Sequence, residues 1–275
     1  MNYLKDYREG EKFVGTYLCK QKQILKTKAG KTYYSLTLQD KTGTADGKIW
    51  ELNNGIANFE PMDYIHCEGM VTSFQGNLQM NISRVRISDE GEYDPADYVP
   101  CTNKDVGEMF SRILKYVASV QNKYLRKILE MYFVENKEFV DAFKKHSAAK
   151  SVHHGFMGGL LEHTLSVTDM CQYFAEHYPM IHRDLLITAA LFHDMGKIQE
   201  ISDFPMNDYT DDGQLLGHIY IGARCMENAA AQIPNFPPKL KNELVHCILA
   251  HHGKMEFGSP KVPAIMEAMA LHMGG

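Results

Sequence analysis

The sequence has 275 residues, of which 44% are hydrophobic, so it is long enough for two domains with ordinary cores. It contains no stretch of about 18 apolar residues and no basic-then-apolar leader, so we expect neither a membrane span nor a secretory signal, and we expect a cytoplasmic protein. The six cysteines form no CxxC pair, which favours reduced core thiols over disulfides or a thiolate zinc site.

The net charge of −5 is divided unevenly along the chain. Residues 1–88 carry 12 Lys plus Arg against 9 Asp plus Glu, a balance of +3, whereas residues 89–275 carry 17 against 25, a balance of −8. The overall charge argues against a nucleic-acid partner, but the basic first third does not. In the acidic part, a phosphate substrate would be attracted by bound metal ions rather than by the overall field.

The first ninety residues are predicted to form short strands. Alternation and aromatic or β-branched residues mark residues 31–40, a return strand follows the turn signal at residues 41–43, and residues 64–87 add two or three strands hinged at Gly69 and Gly76. With a polar insertion before residue 31 and a helical-looking turn near residues 53–59, this spacing is typical of a small oligonucleotide/oligosaccharide-binding (OB) barrel. The passage LTLQDKTGTADGKIW resembles the hairpin of strands 2 and 3 in OB domains of the tRNA-anticodon-binding type.

Residues 20–31, KQKQILKTKAGK, hold five lysines and no acidic residue, and two tyrosines follow. Such a segment suits single-stranded nucleic acid, because lysines track phosphates while aromatic rings stack on bases. The alternative is a solvated loop beside strand aromatics that face the core. Because neighbours on a strand point to opposite faces, one of Tyr33 and Tyr34 must face inward. The candidate contacts are Lys26, Lys28, Lys31, Tyr33, Trp50 and Phe74, the last two of which would as readily belong to the core.

The chain changes character after the predicted barrel. Residues 91–103 are acidic and are broken by Pro95 and Pro100, so they are predicted to form a linker. Apolar residues at helical spacing then recur throughout residues 104–275. The predicted fold class is therefore α+β with two domains, an OB barrel at residues 1–90 and an all-α helical bundle at residues 104–275.

Five histidines and one aspartate stand at or near the ends of predicted helices in the second domain. A lone histidine on an apolar helix is more often a satisfied core residue, and a helix end can carry polar residues that bind nothing. Their occurrence together, in the order His, His-Asp, His, His-His, favours a site for Mn, Fe, Co, Ni or Zn, with one aspartate shared by two ions. The residues are His163, His193, Asp194, His218, His251 and His252.

The ligand order, the phrase HDMGK and the passage HHGKMEFGSPKVPAIMEAMALH resemble the HD superfamily of metal-dependent phosphohydrolases. More narrowly, an OB barrel followed by AAKSVHHGFMGGLLEHT and HHGKMEFGSP is similar to the YhaM-type 3'-to-5' exoribonucleases of Gram-positive bacteria. The resemblance covers nearly the whole chain. The HD motifs mark a superfamily, whereas the two longer phrases mark this subgroup.

The resemblance implies ligands for two divalent ions, with Mn favoured: His163, His193 and Asp194 for the first ion, and Asp194, His218, His251 and His252 for the second. Asp194 and Lys197 would be the catalytic residues, Lys197 reaching a non-bridging phosphate oxygen. Its alternative role is that of a cation at a helix C-terminus. His153 and His154 are candidate substrate contacts, the alternative being that they cap helices and bond to backbone.

One expectation concerns the end of the chain. Superfamily members normally supply a final aspartate a few residues after a Leu-His such as Leu271-His272, and no carboxylate follows here. Either the chain has been shortened or its first site is incomplete. In both cases we expect an intact fold and an intact ligand set for the second ion, with the affinity for the first ion and the activity affected.

The resemblance and the barrel together favour a metal-dependent 3'-to-5' exonuclease of single-stranded RNA, with single-stranded DNA as a second candidate polymer. In this function the barrel holds the strand and the helical domain cuts it. One alternative is a single-strand-binding protein with an inactive HD domain. The other is an HD phosphohydrolase of small nucleotides, whose activity would not depend on the lysines of residues 20–31. The sequence leaves the oligomeric state open.

Overall fold

A computed structural model describes residues 2–150 and 155–275 and divides the chain into two compact units, Met1–Pro100 and Cys101–Gly275. The first unit is a β-barrel and the second is helical, and each has its own hydrophobic core. The α+β fold class predicted from the sequence is confirmed.

The described part of the first unit contains five strands that close into a barrel. They are β1 (Lys12–Lys26), β2 (Thr32–Asp40), β3 (Gly43–Ile49), β4 (Tyr64–Phe74) and β5 (Asn77–Ile87). The order around the barrel is β1-β2-β3-β5-β4, and β1 pairs with β4 to close it. The pairing of β3 with β5 is parallel and the other pairings are antiparallel. This is the Greek-key arrangement of an OB barrel.

Three local predictions in this unit were wrong. The polar segment before residue 31 is not an insertion, because β1 continues through Lys26 by pairing with β2, with Ile24 opposite Tyr34. Gly69 lies inside β4, where the pairing with β5 shifts register, and the chain turns only at Gly76. Residues 53–59 form irregular turns with one isolated bridge rather than a helical turn.

The segment predicted as a linker, residues 91–103, contains a short 3-10 helix, Pro95–Asp97, and two buried side chains, Tyr98 and Val99. The Tyr98 ring lies edge-on to Tyr64, with ring centroids 5.2 Å apart. The residues of this segment up to Pro100 belong to the same compact unit as the barrel. Burial of an aromatic ring removes a large apolar area from water, so this part of the segment is held against the barrel.

The helices of the second unit are α1 (Val106–Ser119), α2 (Lys123–Glu130), α3 (Lys137–Lys145), α4 (Gly159–His177), α5 (Arg183–Phe192), α6 (Lys197–Glu200), α7 (Asp211–Ala231), α8 (Pro238–Ala250) and α9 (Met266–Gly274). Side chains of Asp105, Asn122 and Asn136 cap the first three by accepting hydrogen bonds from backbone N–H groups. Every residue of α5 from Leu185 to Phe192 is buried, and α5 contacts α4, α8 and α9. The end of this central helix therefore lies in the interior of the unit.

Four of the six cysteines are buried, namely Cys19, Cys67, Cys171 and Cys247. Burial raises the pKa of the Cys19 and Cys171 thiols to about 12, so both remain protonated at neutral pH. They pack as small apolar side chains, as the sequence predicted. Within the described residues, we find no helix with the length and hydropathy required to span a membrane.

Candidate metal centre

The five histidines and Asp194 meet around the end of α5. His163 lies on α4, one turn from its start, while His193 and Asp194 directly follow α5. His218 lies on α7, and His251 and His252 directly follow α8. His193, Asp194 and His251 are buried, because the helices around α5 cover them. The structure thus brings together every residue that the sequence nominated as a metal ligand.

Asp194 lies between two groups of imidazoles, and each of its carboxylate oxygens faces one group. Oδ2 is 3.3 Å from His163 Nε2 and 3.4 Å from His193 Nε2. Oδ1 is 3.5 Å from both His218 Nε2 and His251 Nε2. Ligand atoms of His163, His193 and Asp194 lie within 4.8 Å of one another, as do those of Asp194, His218, His251 and His252. The arrangement suits two cations that share one carboxylate.

Hydrogen bonds on the far side of the rings fix which nitrogen can bind a cation. Nδ1 of His193, His251 and His252 lies 2.7–2.8 Å from the backbone carbonyls of Ala190, Ile248 and Phe257. A carbonyl oxygen only accepts, so each Nδ1 carries the proton and donates it. Each Nε2 therefore keeps a lone pair, which is the usual state of a metal-ligating histidine.

Three buried polar atoms in the centre lack a hydrogen-bond partner among the described residues: Asp194 Oδ1, His218 Nε2 and His251 Nε2. All three are acceptors, and they converge at about hydrogen-bond distance with no donor between them. Burying such atoms without a partner is costly, and most native structures avoid it. A divalent cation would supply the missing positive partner, so the residues present fit a metal ion.

Protonation states in the centre also fit a metal ion. Burial, together with the neighbouring histidines, lowers the pKa of His193 to about 3 and the pKa of His252 to about 4. Burial alone would raise the pKa of Asp194, but His193, Lys197 and the other neighbouring histidines outweigh it and hold that pKa well below its usual value. At neutral pH the His193 and His252 rings are therefore neutral and the Asp194 carboxylate is ionised, as ligation requires.

Glu200, which the sequence analysis did not nominate, orients one ligand. Its Oε1 lies 2.9 Å from His218 Nδ1 and 2.9 Å from the backbone nitrogen of His218, and accepts a hydrogen bond from each. The carboxylate thereby fixes both the ring and the backbone of His218. Hydrogen bonding to His218 overcomes burial and lowers the pKa of Glu200, so the acceptor is ionised. In the sequence, Glu200 is one acidic residue among many, and nothing in its spacing points to this role.

Two glycines allow His218 to reach its place. Gly217 has φ 73° and ψ 154°, a conformation essentially restricted to glycine, and kinks α7 directly before His218. A Cβ on Gly196 would lie 2.1 Å from the His218 carbonyl oxygen, so only glycine permits this approach. The kink frees the His218 N–H from the helix, and Glu200 accepts it.

Lys197 contacts the first-ion side of the centre. Its Nζ lies 3.3 Å from Asp194 Oδ2 and donates to the Ala148 carbonyl at 2.6 Å. The ammonium group thus lies beside the shared carboxylate, and it also anchors the segment that precedes residue 151. His153 and His154, the candidate substrate contacts, lie outside the described residues.

The candidate nucleic-acid contacts lie in the barrel unit. The Tyr33 and Trp50 rings stack with centroids 4.6 Å apart, and Trp50 Nε1 donates to Asn81 Oδ1. Tyr34 is the neighbour that packs against the barrel core, edge-on to Phe59. Trp50 is 39% exposed and Phe74 is 62% exposed, so neither is a core residue. Lys26, Lys28 and Lys31 are exposed, and Lys31 pairs with Glu51 at 3.2 Å.

Comparison with known proteins places these features in a family. Residues 160–270 match the HD domain family. A protein named 3'-5' exoribonuclease YhaM from Geobacillus sp. (strain WCH70) is 32% identical over 88% of this chain and 74% of its own length. Proteins of that name from Listeria innocua and Bacillus subtilis are 32% and 31% identical, over 98% and 88% of this chain and 85% and 77% of their own lengths.

Among solved structures, the second OB-fold domain of replication protein A from Methanococcus maripaludis is similar to 33% of this chain and 98% of its own, with 20% identity and a TM-score of 0.27. The similarity to the relatives extends over both units of the chain, and the HD domain match lies in the helical unit. The chain belongs to the family of YhaM-type 3'-5' exoribonucleases.

Proposed function

We propose that the chain is a metal-dependent 3'-to-5' exonuclease of single-stranded RNA whose helical unit holds two divalent ions. The observation that carries the proposal is the Asp194 carboxylate, whose two oxygens face separate histidine groups. The name of the relatives supports both the polymer and the direction. Mn is the favoured metal because of the family resemblance, and the donors also suit Fe, Co, Ni or Zn.

Divalent ions bound at this centre would activate water and neutralise charge on a phosphodiester. The protein's own part is to hold neutral imidazoles and one ionised carboxylate in fixed positions, through Glu200 and the backbone carbonyls behind the rings. Lys197 adds a positive charge for a non-bridging phosphate oxygen. Attack by water forms a new phosphorus–oxygen bond and breaks the bond to the 3' oxygen, which takes up a proton. The product is a nucleoside 5'-monophosphate.

The barrel is proposed to hold the strand while the helical unit cuts it, with residues 91–103 as the connection. Stacked and exposed rings at Tyr33 and Trp50 offer a face for bases, and Lys26, Lys28 and Lys31 offer charges for phosphates. The same contacts would accept single-stranded DNA. A cytoplasmic location is proposed because an RNA substrate and buried, protonated thiols both suit a reducing compartment.

The test is digestion of a 5'-labelled single-stranded RNA in the presence of Mn, with metal analysis of the purified chain. We expect about two ions per chain and a ladder that shortens from the 3' end. Asp194→Ala should abolish both the ladder and the bound ions, because one carboxylate serves both groups. Asp203→Ala, at an exposed aspartate nine residues after Asp194, is the matched control and should behave as the unaltered chain.

Two other outcomes would contradict the proposal. Retention of RNA without a ladder, with fewer than two ions per chain, would favour the single-strand-binding alternative. Hydrolysis of small nucleotides together with resistance of the polymer would favour the phosphohydrolase alternative.

A further inference from the structure

Two exposed aromatic rings in the helical unit are each covered by a lysine. Tyr209, which precedes α7, is 45% exposed, and Lys150 Nζ lies 5.7 Å from its ring centroid. Phe257, which follows α8, is 59% exposed, and Lys254 Nζ lies 5.4 Å from its ring centroid. Single exposed apolar residues are ordinary on protein surfaces. These two stand out because the structure connects both of them to the metal centre.

The first pair, Tyr209 and Lys150, is connected by hydrogen bonds to Lys197, which contacts Asp194 Oδ2. Lys197 bridges Asp194 Oδ2 and the Ala148 carbonyl. The Asn207 side-chain amide then donates to the carbonyls of Ala149 and Lys150, at 3.2 and 3.0 Å. Asn207 is buried and lies two residues before Tyr209. The segments that carry the ring and the ammonium group are therefore tied to each other and to Lys197.

The second pair, Phe257 and Lys254, is held on the side that Asp194 Oδ1 faces. His252 Nδ1 donates to the Phe257 carbonyl at 2.7 Å, and the His252 N–H donates to the hydroxyl of Ser259 at 3.1 Å. Ser259 is buried, and its own N–H bonds to the Lys254 carbonyl. The turn that presents this ring is therefore fixed directly to a candidate metal ligand.

Each pair offers the two contacts that a nucleotide of a single strand uses. An exposed ring stacks on a base of any sequence, and an ammonium group attracts the adjoining phosphate. Lys150 and Lys254 also pair with Asp208 and Glu256, at 2.6 and 3.3 Å. Both ion pairs are solvent-exposed, and such pairs contribute little, so an incoming phosphate can replace the carboxylate at small cost.

We propose that the Tyr209–Lys150 and Phe257–Lys254 pairs bind the two nucleotides that flank the scissile phosphodiester, one nucleotide at each pair. This inference rests on the proposed function, since in a 3'-to-5' exonuclease those nucleotides are the 3'-terminal and the penultimate residue of the RNA. The ligand is thus a single-stranded RNA end, bound by base stacking and without base-specific hydrogen bonds.

The test combines protein variants with RNA that lacks single bases. The unaltered full chain, Tyr209→Ala and Phe257→Ala are assayed for removal of the first nucleotide from three RNAs: intact, abasic at the terminal position, and abasic at the penultimate position. Each aromatic substitution should lower kcat/KM for intact RNA about tenfold. On the RNA that lacks the base stacked on that ring, the same substitution should leave kcat/KM unchanged. The two rings should couple to different positions.

Tyr173→Ala is the matched control. Tyr173 is 53% exposed and lies on α4, ten residues or about 15 Å of helix beyond His163. Its removal should leave kcat/KM unchanged, and all variants should bind the same amount of Mn. The inference would be overturned if each aromatic substitution lowered kcat/KM by the same factor on intact RNA and on both abasic RNAs. It would also be overturned if neither substitution lowered kcat/KM. In both cases the proposed function would stand. An unaltered chain that does not shorten RNA would overturn the proposed function and this inference with it.

Discussion

The carboxylate of Glu200 accepts two hydrogen bonds from His218, one from the ring Nδ1 and one from the backbone nitrogen, each 2.9 Å long. The contact explains how a histidine in the middle of α7 is aimed at Asp194. A helix would normally use the His218 N–H internally, but the kink at Gly217 releases it. Glu200 therefore acts on the centre through His218, without touching a cation itself.

Glu200→Gln should weaken metal binding. Glutamine keeps the size of the side chain and an acceptor oxygen but loses the charge that strengthens both hydrogen bonds. We expect the affinity for Mn to fall about tenfold or more, the range seen for residues that orient metal-ligating histidines. Competition with a chromophoric chelator measures it. Glu227→Gln, the same change at an exposed position of α7, is the control. Equal affinities of the two variants would show that Glu200 has no such role.

Two glycines of α7 should respond in opposite ways to alanine. Gly217→Ala forces an L-residue into φ 73°, ψ 154° and should cost about 1–3 kcal/mol of unfolding free energy. Gly222→Ala places its Cβ no closer than 3.5 Å to a neighbour, in regular helix, and should be neutral or stabilising by up to about 1 kcal/mol. Urea unfolding with chelator present measures both without a metal contribution. A stable Gly217→Ala variant would mean that the kink is not required.

The metal-free chain should lose stability in mild acid. Histidines of the unfolded chain take up protons near pH 6.5, whereas burial keeps the pKa of His193 at about 3 and that of His252 at about 4. Between these pKa values the unfolded state binds more protons than the folded state. The free energy of unfolding therefore falls as the pH drops below about 6.5, and these two histidines do not change it at higher pH. Each histidine contributes up to about 1.4 kcal/mol per pH unit. Urea unfolding at pH 7 and pH 5.5 tests this, and His252→Gln should show a smaller loss. An unchanged loss in that variant would contradict the assignment.

The clustering of the candidate metal ligands was predictable from their order along the chain, which is His, His-Asp, His and His-His. His193 and Asp194 are adjacent and follow a helix, as do His251 and His252, and a period of 3.6 residues reveals both helices. His218, by contrast, lies inside α7. Glu200 and Gly217 could not be nominated in this way. Glu200 acts by accepting a backbone N–H that would normally bond within the helix. Gly217 acts through its positive φ angle. Neither property can be recognised from residue spacing.

In the barrel, alternation predicted the strands but not how far they extend. β1 runs through a lysine-rich segment because β2 supplies backbone partners to its end, and polar side chains on the outer face do not oppose pairing. Likewise, the pattern required one of Tyr33 and Tyr34 to face inward, and only packing against Phe59 decides that it is Tyr34. Trp50 is outside because it lies just beyond β3, where alternation no longer applies.

Trp50→Ala should weaken RNA binding by the barrel. Trp50 and Tyr33 form a stacked pair at the surface, and the loss of one stacking ring costs about 1–3 kcal/mol per base. We expect the Kd for a labelled single-stranded RNA to rise about tenfold, measured in the Asp194→Ala background so that no RNA is consumed. Trp50→Phe keeps a stacking ring and should recover most of the affinity. A phenylalanine variant as weak as the alanine variant would point to the hydrogen bond with Asn81 instead.

The exposed lysines at the end of the β1–β2 hairpin should set the salt dependence of RNA binding. Each lysine that neutralises a phosphate of a single strand changes the slope of log K against log salt by about 0.7. Lys26→Ala with Lys28→Ala should therefore make the slope shallower by about 1.4, and should slow polymer cleavage more than hydrolysis of a small phosphodiester. Lys137→Ala with Lys239→Ala, at exposed positions of α3 and α8, is the matched double control. Because both pairs remove the same charge, an equal change of slope in the control would mean that overall charge, rather than this hairpin, attracts the RNA.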